Sequence, residues 1–152
     1  MRKHIFIPDC QVTPDTPTDH LKWIGQYIVD QRPDVIINIG DFADMESLSS
    51  YDAGKKDYEG RRYIRDIDAS RKAMEVLMGP LDSFNQNRRE TKHKQYKPEL
   101  HFTLGNHEER ITRAINNDAK LDGILGLHDL GFEEWGWTVH PFLEPVIVDG
   151  VA

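Results

Sequence analysis

Short apolar runs alternate with longer stretches of helical spacing in the first part of the chain. Residues 3–8 predict a short buried strand, and the apolar positions after Asp19 recur at helical spacing until Arg32-Pro33 ends the helix. Residues 34–39 are β-branched and almost continuously apolar, which is typical of a strand in a buried parallel sheet. This order predicts a right-handed βαβ unit, with Asp19 as the N-cap of its helix.

The middle of the chain predicts a long helix between polar segments. Residues 45–60 have little periodicity and predict a loop or a broken helix, whereas residues 62–84 have the spacing of a long helix. Gly79-Pro80 predicts a kink or an end in that helix. Residues 85–98 contain few apolar positions, so we expect them to run exposed.

The last third predicts one further βα unit and a terminal hairpin. Residues 99–104 predict a third strand, and a helix is expected to follow it through Arg110. Residues 121–130 predict a short helix. Val139 and residues 146–148 predict strands, and Asp149-Gly150 is a hairpin-turn dipeptide. Together these elements predict an α/β fold.

Composition places the chain among compact, water-soluble proteins. The 152 residues suit one domain, here taken as 1–152 with a polar insert around residues 45–98. No apolar stretch has the length of a membrane span, and the N-terminus lacks the pattern of a secretory signal. A single cysteine, Cys10, excludes an internal disulfide. We therefore expect a cytoplasmic protein that does not contact a membrane.

The charge distribution limits the possible partners. A net charge of -7 argues against sequence-independent binding to duplex DNA, which relies on a large cationic surface. Basic residues nevertheless gather in two clusters, where a solvated surface is the ordinary interpretation and a phosphate-binding rim the alternative. The first cluster is Arg61, Arg62, Arg65, Arg71 and Lys72, and the second is Arg88, Arg89, Lys92, Lys94 and Lys97.

Polar side chains follow each of the three predicted strands. The strand ends read Asp9-Cys10-Gln11, Gly40-Asp41-Phe42-Ala43-Asp44 and Gly105-Asn106-His107-Glu108. Ligands of open α/β sheets bind where the carboxyl ends of the strands meet. Oxygen donors with an imidazole suit Mn, Mg, Fe or Zn better than a soft metal. If the strands are neighbours, the sequence predicts a metal site at this edge.

These strand ends resemble the calcineurin-like metallophosphoesterase superfamily. The resemblance covers the chain from Ile5 to about Arg110 and rests on its first three motifs, among which Gly-Asn-His-Glu at residues 105–108 is the most specific. It implies a layered α/β sandwich and two divalent metal ions, with Mn foremost and Mg, Fe or Zn as alternatives. It also implies hydrolysis of a phosphomonoester or phosphodiester through metal-bound hydroxide.

The resemblance implies a metal-binding role for four residues. Asp9 would bind the first metal and Asp41 would bridge the pair, while Asn106 would bind the second metal and contact substrate. Gln11 stands where the family usually has a histidine. Its amide oxygen can ligate a hard cation but is a poorer transition-metal ligand than imidazole, which would weaken the first site or shift its selectivity towards Mn or Mg.

The resemblance also implies the catalytic residues. His107 would be a non-ligand histidine that contacts the phosphate and helps to protonate the leaving group. Asp44 would orient this imidazole and favour its acid form. Arg110 is a candidate for binding the substrate phosphate. Glu108, by contrast, is interpreted as favouring the first turn of a helix.

The later metal-binding histidines of the family have no counterpart here. After His107 the sequence contains only His128 and His140, and neither lies in a matching motif. We therefore expect that the chain lacks the part that would complete the sheet and the metal site, or that a partner completes it. The alternative function is a non-catalytic binding or scaffold module that keeps the phosphoesterase fold.

The motifs do not identify the class of substrate. Nucleases, cyclic-nucleotide phosphodiesterases and protein phosphatases share these motifs, because loops and added domains distinguish them. The basic clusters favour a nucleotide or nucleic-acid substrate slightly.

Overall fold

A computed structural model describes residues 1–49 and 62–151. Within them the protein is a mixed α/β fold with one four-stranded parallel sheet, as the sequence pattern predicts. The strands stand in the order β1-β2-β3-β4. They are β1 (His4–Ile7), β2 (Val35–Asn38), β3 (Glu99–Thr103) and β4 (Thr138–His140). The helices are α1 (Asp19–Gln31), α2 (Tyr63–Glu90) and α3 (Glu109–Asn117).

The strand register brings the carboxyl ends of the first three strands level with each other. Ile7 at the end of β1 is paired with Asn38 at the end of β2, and Asn38 is paired with Phe102 near the end of β3. All of these pairings are parallel. The segments that follow the three strands therefore emerge side by side at one edge of the sheet.

The core lies between one face of the sheet and the helices. Right-handed crossovers between parallel strands that are added in one direction place their helices on the same face. Helices α1 and α2 pack against each other there. The core cluster joins strand residues with residues of all three helices, among them Ile7, Ile36, Phe102, Leu21, Ile28, Met74, Leu77 and Ile111.

The opposite face of the sheet carries apolar side chains that reach solvent. Phe6 is 57% exposed, and Ile39, just after β2, is 48% exposed. These residues line a groove of about 760 Å³ with Ile37 and with the segment 141–151. The groove extends to Asp41 at the carboxyl edge of the strands. No helix among residues 1–49 and 62–151 has the length and apolar character of a membrane span.

Helix α2 is longer than the sequence pattern indicates. The expected end at Gly79-Pro80 is wrong, because the helix continues through Pro80 to Glu90. Proline removes one hydrogen bond and costs about 3 kcal/mol in a helix interior. Leu77, Met78 and Leu81 are buried around it, and burying such side chains contributes roughly 1.5–3 kcal/mol each. Packing therefore outweighs the lost bond.

Residues 85–98 are more tightly held than their polarity suggests. Residues 85–90 belong to α2, and none of residues 85–98 is buried, so the expectation of an exposed run is confirmed. The side chain of Asn85 accepts from the main-chain N–H of Tyr96 and donates to its carbonyl oxygen. The hydroxyl of Tyr96 donates to the carbonyl oxygen of Pro33 at 2.5 Å. These bonds fasten the segment to the amino end of β2.

Smaller differences occur at helix boundaries. Asp19 is the first residue of α1 rather than its N-cap, which is Thr18. The helix expected over residues 121–130 is wrong: 3₁₀ turns at Ala119–Leu121 and Leu127–Leu130 stand there instead. Gly123, with a φ of 77°, interrupts the stretch between them. Of the loop or broken helix expected over residues 45–60, Glu46–Leu48 forms a 3₁₀ turn, and residues 50–60 lie outside the described residues, as does Arg61.

The terminal turn forms as the Asp149-Gly150 dipeptide predicts, although residues 146–148 form no strand. Val148 and Val151 exchange two main-chain hydrogen bonds around it. Asp149 and Gly150 have φ values of 51° and 82°, as a type I′ turn requires. Asp149 contacts Nε2 of His4 at 2.7 Å and a guanidinium nitrogen of Arg2 at 2.9 Å. These contacts fix the turn beside the start of β1.

Candidate functional site

The segments after β1 and β2 are joined by main-chain hydrogen bonds. The carbonyl oxygen of Asp41 accepts from the N–H of Gln11 at 2.8 Å and from the N–H of Cys10 at 3.2 Å. Val12 N–H donates to Phe42 at 2.7 Å, and Asp44 N–H donates to Val12 at 3.0 Å. The first two predicted motifs therefore lie side by side, as their position after neighbouring strands requires.

The segments after β2 and β3 approach so closely that glycine is needed at both. A Cβ on Gly40 would lie 2.5 Å from the main-chain nitrogen of Gly105. A Cβ on Gly105 would lie 2.1 Å from Oδ1 of Asp41. Real Cβ atoms do not tolerate such distances. Glycine, which has no Cβ, therefore allows the two segments to approach this closely.

Asp41 belongs to the second motif, and its side chain contacts the third. Its φ of 48° is left-handed, a conformation in which aspartate is among the better tolerated residues. Its Oδ1 accepts a hydrogen bond of 2.9 Å from the main-chain N–H of His107. This bond joins the carboxylate expected to bridge the metals directly to the Gly-Asn-His-Glu segment.

Glu108 has a position that the sequence pattern did not reveal. Its side chain is fully buried, and its Oε2 accepts from the main-chain N–H groups of Asp41 at 3.0 Å and Gly105 at 2.9 Å. Its Oε1 accepts from Ala43 N–H at 2.9 Å. Burial raises the pKa of the Glu108 carboxyl, and these N–H donors oppose that rise. Glu108 is the N-cap residue of α3, at the start of the helix as expected, but its side chain bonds across to the second motif, which the sequence pattern did not indicate.

His107 and Asp44 form a close pair, as the sequence predicts. Nδ1 of His107 lies 2.5 Å from Oδ1 of Asp44. The side chains are only 16% and 20% exposed, so water screens this contact weakly. The carboxylate therefore borders the imidazole on its Nδ1 side. The arrangement suits a histidine that donates a proton.

Arg110, in the first turn of α3, is the third residue of this group. Its Nη1 donates to the carbonyl oxygen of Asp44 at 2.7 Å and lies 3.4 Å from that residue's Oδ1. Its Nη2 lies 3.4 Å from Nε2 of His107. The guanidinium therefore holds the Asp44 segment and borders the imidazole. Its contact with a substrate phosphate stays a prediction.

The four residues expected to bind metal differ in exposure. Asp9, Gln11 and Asn106 are exposed, and Asp41 is half-buried. Among residues 1–49 and 62–151, no three His, Cys, Asp or Glu side chains gather closely enough to hold a metal ion. The available donors are two carboxylates and two side-chain amides. Such an oxygen-rich set fits a hard divalent cation that keeps several of its waters.

Two further histidines lie together on the open face of the sheet. Nδ1 of His101 is 3.0 Å from Nε2 of His140, and their rings stack with centroids 5.3 Å apart. His140 is therefore bonded to a strand residue rather than to the predicted motifs. Burial and the neighbouring His101 lower the pKa of His140, while Glu144 opposes this.

The two basic clusters lie at opposite ends of the sheet. Tyr96 contacts Pro33, just before β2, so the second cluster around residues 88–97 is at the amino end of the strands. The first cluster begins where α2 begins, next to Ser47, whose N–H donates to the carboxylate of Asp66 at 2.9 Å. Of the described residues in the two clusters, Arg62 and Arg65 at the start of α2 therefore share an end of the sheet with the predicted motifs.

Comparisons of this chain with protein-family models, with curated proteins and with solved structures gave no match. The assignment of function therefore rests on the geometry of the strand-end motifs.

Proposed function

We propose that this protein is a metal-dependent phosphoesterase of the calcineurin-like metallophosphoesterase type, acting on a phosphomonoester or a phosphodiester. One observation carries the proposal. Three motifs from separate parts of the chain meet at the carboxyl edge of a parallel sheet, with the carboxylate of Asp41 bonded to the main chain of His107 and that of Asp44 beside its ring. Ligand sites of open α/β sheets form at this edge.

The metal-binding donors would be the side-chain oxygens of Asp9, Gln11, Asp41 and Asn106. Two carboxylates and two neutral amides favour Mn²⁺ or Mg²⁺ over softer metals. A divalent metal bound there would neutralise phosphate charge and lower the pKa of a coordinated water. The family resemblance implies two such ions.

His107 would act on the leaving group. The alcohol part of a phosphate ester departs as an alkoxide or phenoxide, which is a poor leaving group unless a proton reaches its oxygen. An imidazole that carries a proton would supply it, and the Asp44 carboxylate lies 2.5 Å from Nδ1 of this ring. Arg110 holds the main chain of Asp44 and keeps this pair in place.

The first basic cluster supports a nucleotide or nucleic-acid substrate. Exposed Arg65 near the start of α2 lies at the same end of the sheet as the strand-end motifs. A guanidinium there suits a second phosphate or a flanking backbone phosphate. The second cluster, at the amino end of the strands, is too far round the sheet to contact the same ester.

The test combines calorimetric titration of the chain with Mn²⁺ and hydrolysis assays with p-nitrophenyl phosphate and bis-(p-nitrophenyl) phosphate. Asp41→Asn is the matched variant, because asparagine keeps an Oδ1 that accepts the His107 N–H but loses the charge. Exposed Asp15→Asn serves as the control. We expect Asp41→Asn to abolish Mn²⁺-dependent hydrolysis, whereas retained hydrolysis would contradict the bridging role.

A second candidate is a binding module that keeps the fold without catalysis. It is favoured by the donor set of the described residues, in which no three His, Cys, Asp or Glu side chains come together. The same experiment separates the two functions. Absence of both Mn²⁺ binding and hydrolysis would support the binding module over the phosphoesterase.

A further inference from the structure

One fully buried carboxylate bonds to two of the three strand-end motifs. Glu108 belongs to the third motif, yet two of its three main-chain partners, Asp41 and Ala43, belong to the second. Its remaining partner is Gly105, at the start of its own motif. A carboxylate has two oxygens that only accept, so it can serve several N–H donors together.

We propose that Glu108 is a positioning residue that locks the second motif against the third and thereby sets where Asp41 stands relative to Asn106 and His107. The lock itself follows from the hydrogen bonds of this chain. Its consequence for metal binding rests on the proposed phosphoesterase function.

Glu108 supplies the hydrogen-bond acceptor for main-chain N–H groups that other contacts leave unpaired. The N–H groups of Asp41 and Gly105 converge on one oxygen of Glu108. A buried N–H without an acceptor is costly. Removing the acceptor would therefore push the two segments apart until water reaches both donors, and the Asp41 carboxylate would move with them.

Glutamine is the informative replacement at this position. It has the size of glutamate but presents one oxygen and one NH₂ group. Whichever way the amide turns, at least one main-chain N–H then faces another donor. Aspartate keeps the charge but is one methylene shorter, so it cannot reach all three donors. Glu109→Gln is the matched control, because Glu109 carries the same charge in the first turn of α3.

The first measurement is amide hydrogen exchange followed by NMR, without metal. In Glu108→Gln we expect at least one of the Asp41, Ala43 and Gly105 amides, whichever faces the new NH₂ group, to exchange about tenfold faster or more, while amides within β1 keep their rates. Glu109→Gln should leave all three amides unchanged. Wild-type rates at these amides in Glu108→Gln would overturn the lock.

The second measurement is Mn²⁺ affinity by calorimetry, together with the melting temperature. Ile28→Val provides a variant that is destabilised in the core, away from the motifs. We expect Glu108→Gln to weaken Mn²⁺ binding about tenfold beyond any change in Ile28→Val, and Glu108→Asp to lie between it and the wild type. Equal Mn²⁺ affinities in wild type and Glu108→Gln would overturn the positioning role.

The two proposals fail in different ways. If the wild-type chain binds no Mn²⁺ but main-chain amides among Asp41, Ala43 and Gly105 lose protection in Glu108→Gln, the phosphoesterase proposal fails. The role of Glu108 in joining the second and third motifs is then retained. If Glu108→Gln does not fold, Glu108→Asp provides the same two measurements. Unchanged exchange and affinity in Glu108→Asp would then overturn the proposal.

Discussion

Nδ1 of His107 lies 2.5 Å from Oδ1 of Asp44, although the two residues follow different strands. Asp44 comes from the segment after β2, and His107 from the segment after β3. The parallel pairing of these strands brings the two segments together at one edge. The side chains are only 16% and 20% exposed, so the pair is well shielded from water.

His107→Ala should lower kcat by a factor of about 10²–10⁴, the usual contribution of a general acid. Binding of Mn²⁺ should persist, because the imidazole pairs with Asp44 rather than with the expected metal ligands. The measurements are steady-state hydrolysis of diphenyl phosphate, whose phenoxide leaving group needs the proton, and calorimetric titration with Mn²⁺. His128→Ala, at a largely exposed histidine, is the control. Loss of Mn²⁺ binding in His107→Ala would show that this histidine is a ligand.

Gln11→His should tighten Mn²⁺ binding, by about tenfold, since imidazole is a better transition-metal ligand than an amide. The position is exposed and has a φ of 45°, which histidine tolerates better than most residues. Titration of the wild type and the variant with Mn²⁺ and Mg²⁺ measures the change. An unaltered affinity for Mn²⁺ would mean that residue 11 does not reach the metal.

Gly105→Ala should destabilise the fold by about 1–3 kcal/mol, because the new Cβ would clash with the side chain and nitrogen of Asp41. The clash would also displace Asp41, so Mn²⁺ binding should weaken. Gly79→Ala is the matched control: its Cβ meets nothing within 4 Å, and alanine in a helix should stabilise by about 0.5–1 kcal/mol. Chemical denaturation gives both values. A wild-type stability for Gly105→Ala would contradict the close approach of the two segments.

Stability should depend on pH through His140. Burial and His101 lower the pKa of His140 in the folded protein, so the unfolded chain takes up a proton first as pH falls. The free energy of unfolding should therefore decrease as pH falls below the ordinary value of 6.5 and level off below the folded pKa. Denaturation of wild type and His140→Gln between pH 5 and 7.5 tests this. The same pH dependence in both proteins would exclude His140 as its cause.

Local pattern predicted the strands and the motifs that follow them well. The apolar runs around residues 3–8, 34–39 and 99–104 became β1, β2 and β3, because short β-branched runs bury well only in a sheet. The convergence of Asp41, Asp44 and His107 followed from one geometric rule about the ends of parallel strands. The Asp149-Gly150 turn was also predicted, because its positive φ values depend on two adjacent residues.

Features that depend on residues far apart in the chain could not be predicted from the local hydrophobic pattern. Pro80 is tolerated inside α2 only because the residues around it are buried. Glu108 looks like a helix-start residue until the main-chain donors of the second motif are placed beside it.

The sequence by itself determined the strands β1, β2 and β3 and which polar side chains follow each of them, because these depend on residues near one another in the chain. Only the tertiary structure decided that Glu108 bonds to Asp41 and Ala43, that Gly105 lies against Asp41, and that one face of the sheet stays open beside Phe6. The physical reason is that strand order and the handedness of the crossovers determine which distant segments meet. Main-chain N–H and C=O groups are the same in nearly every residue, so the sequence does not show which partners they bond to.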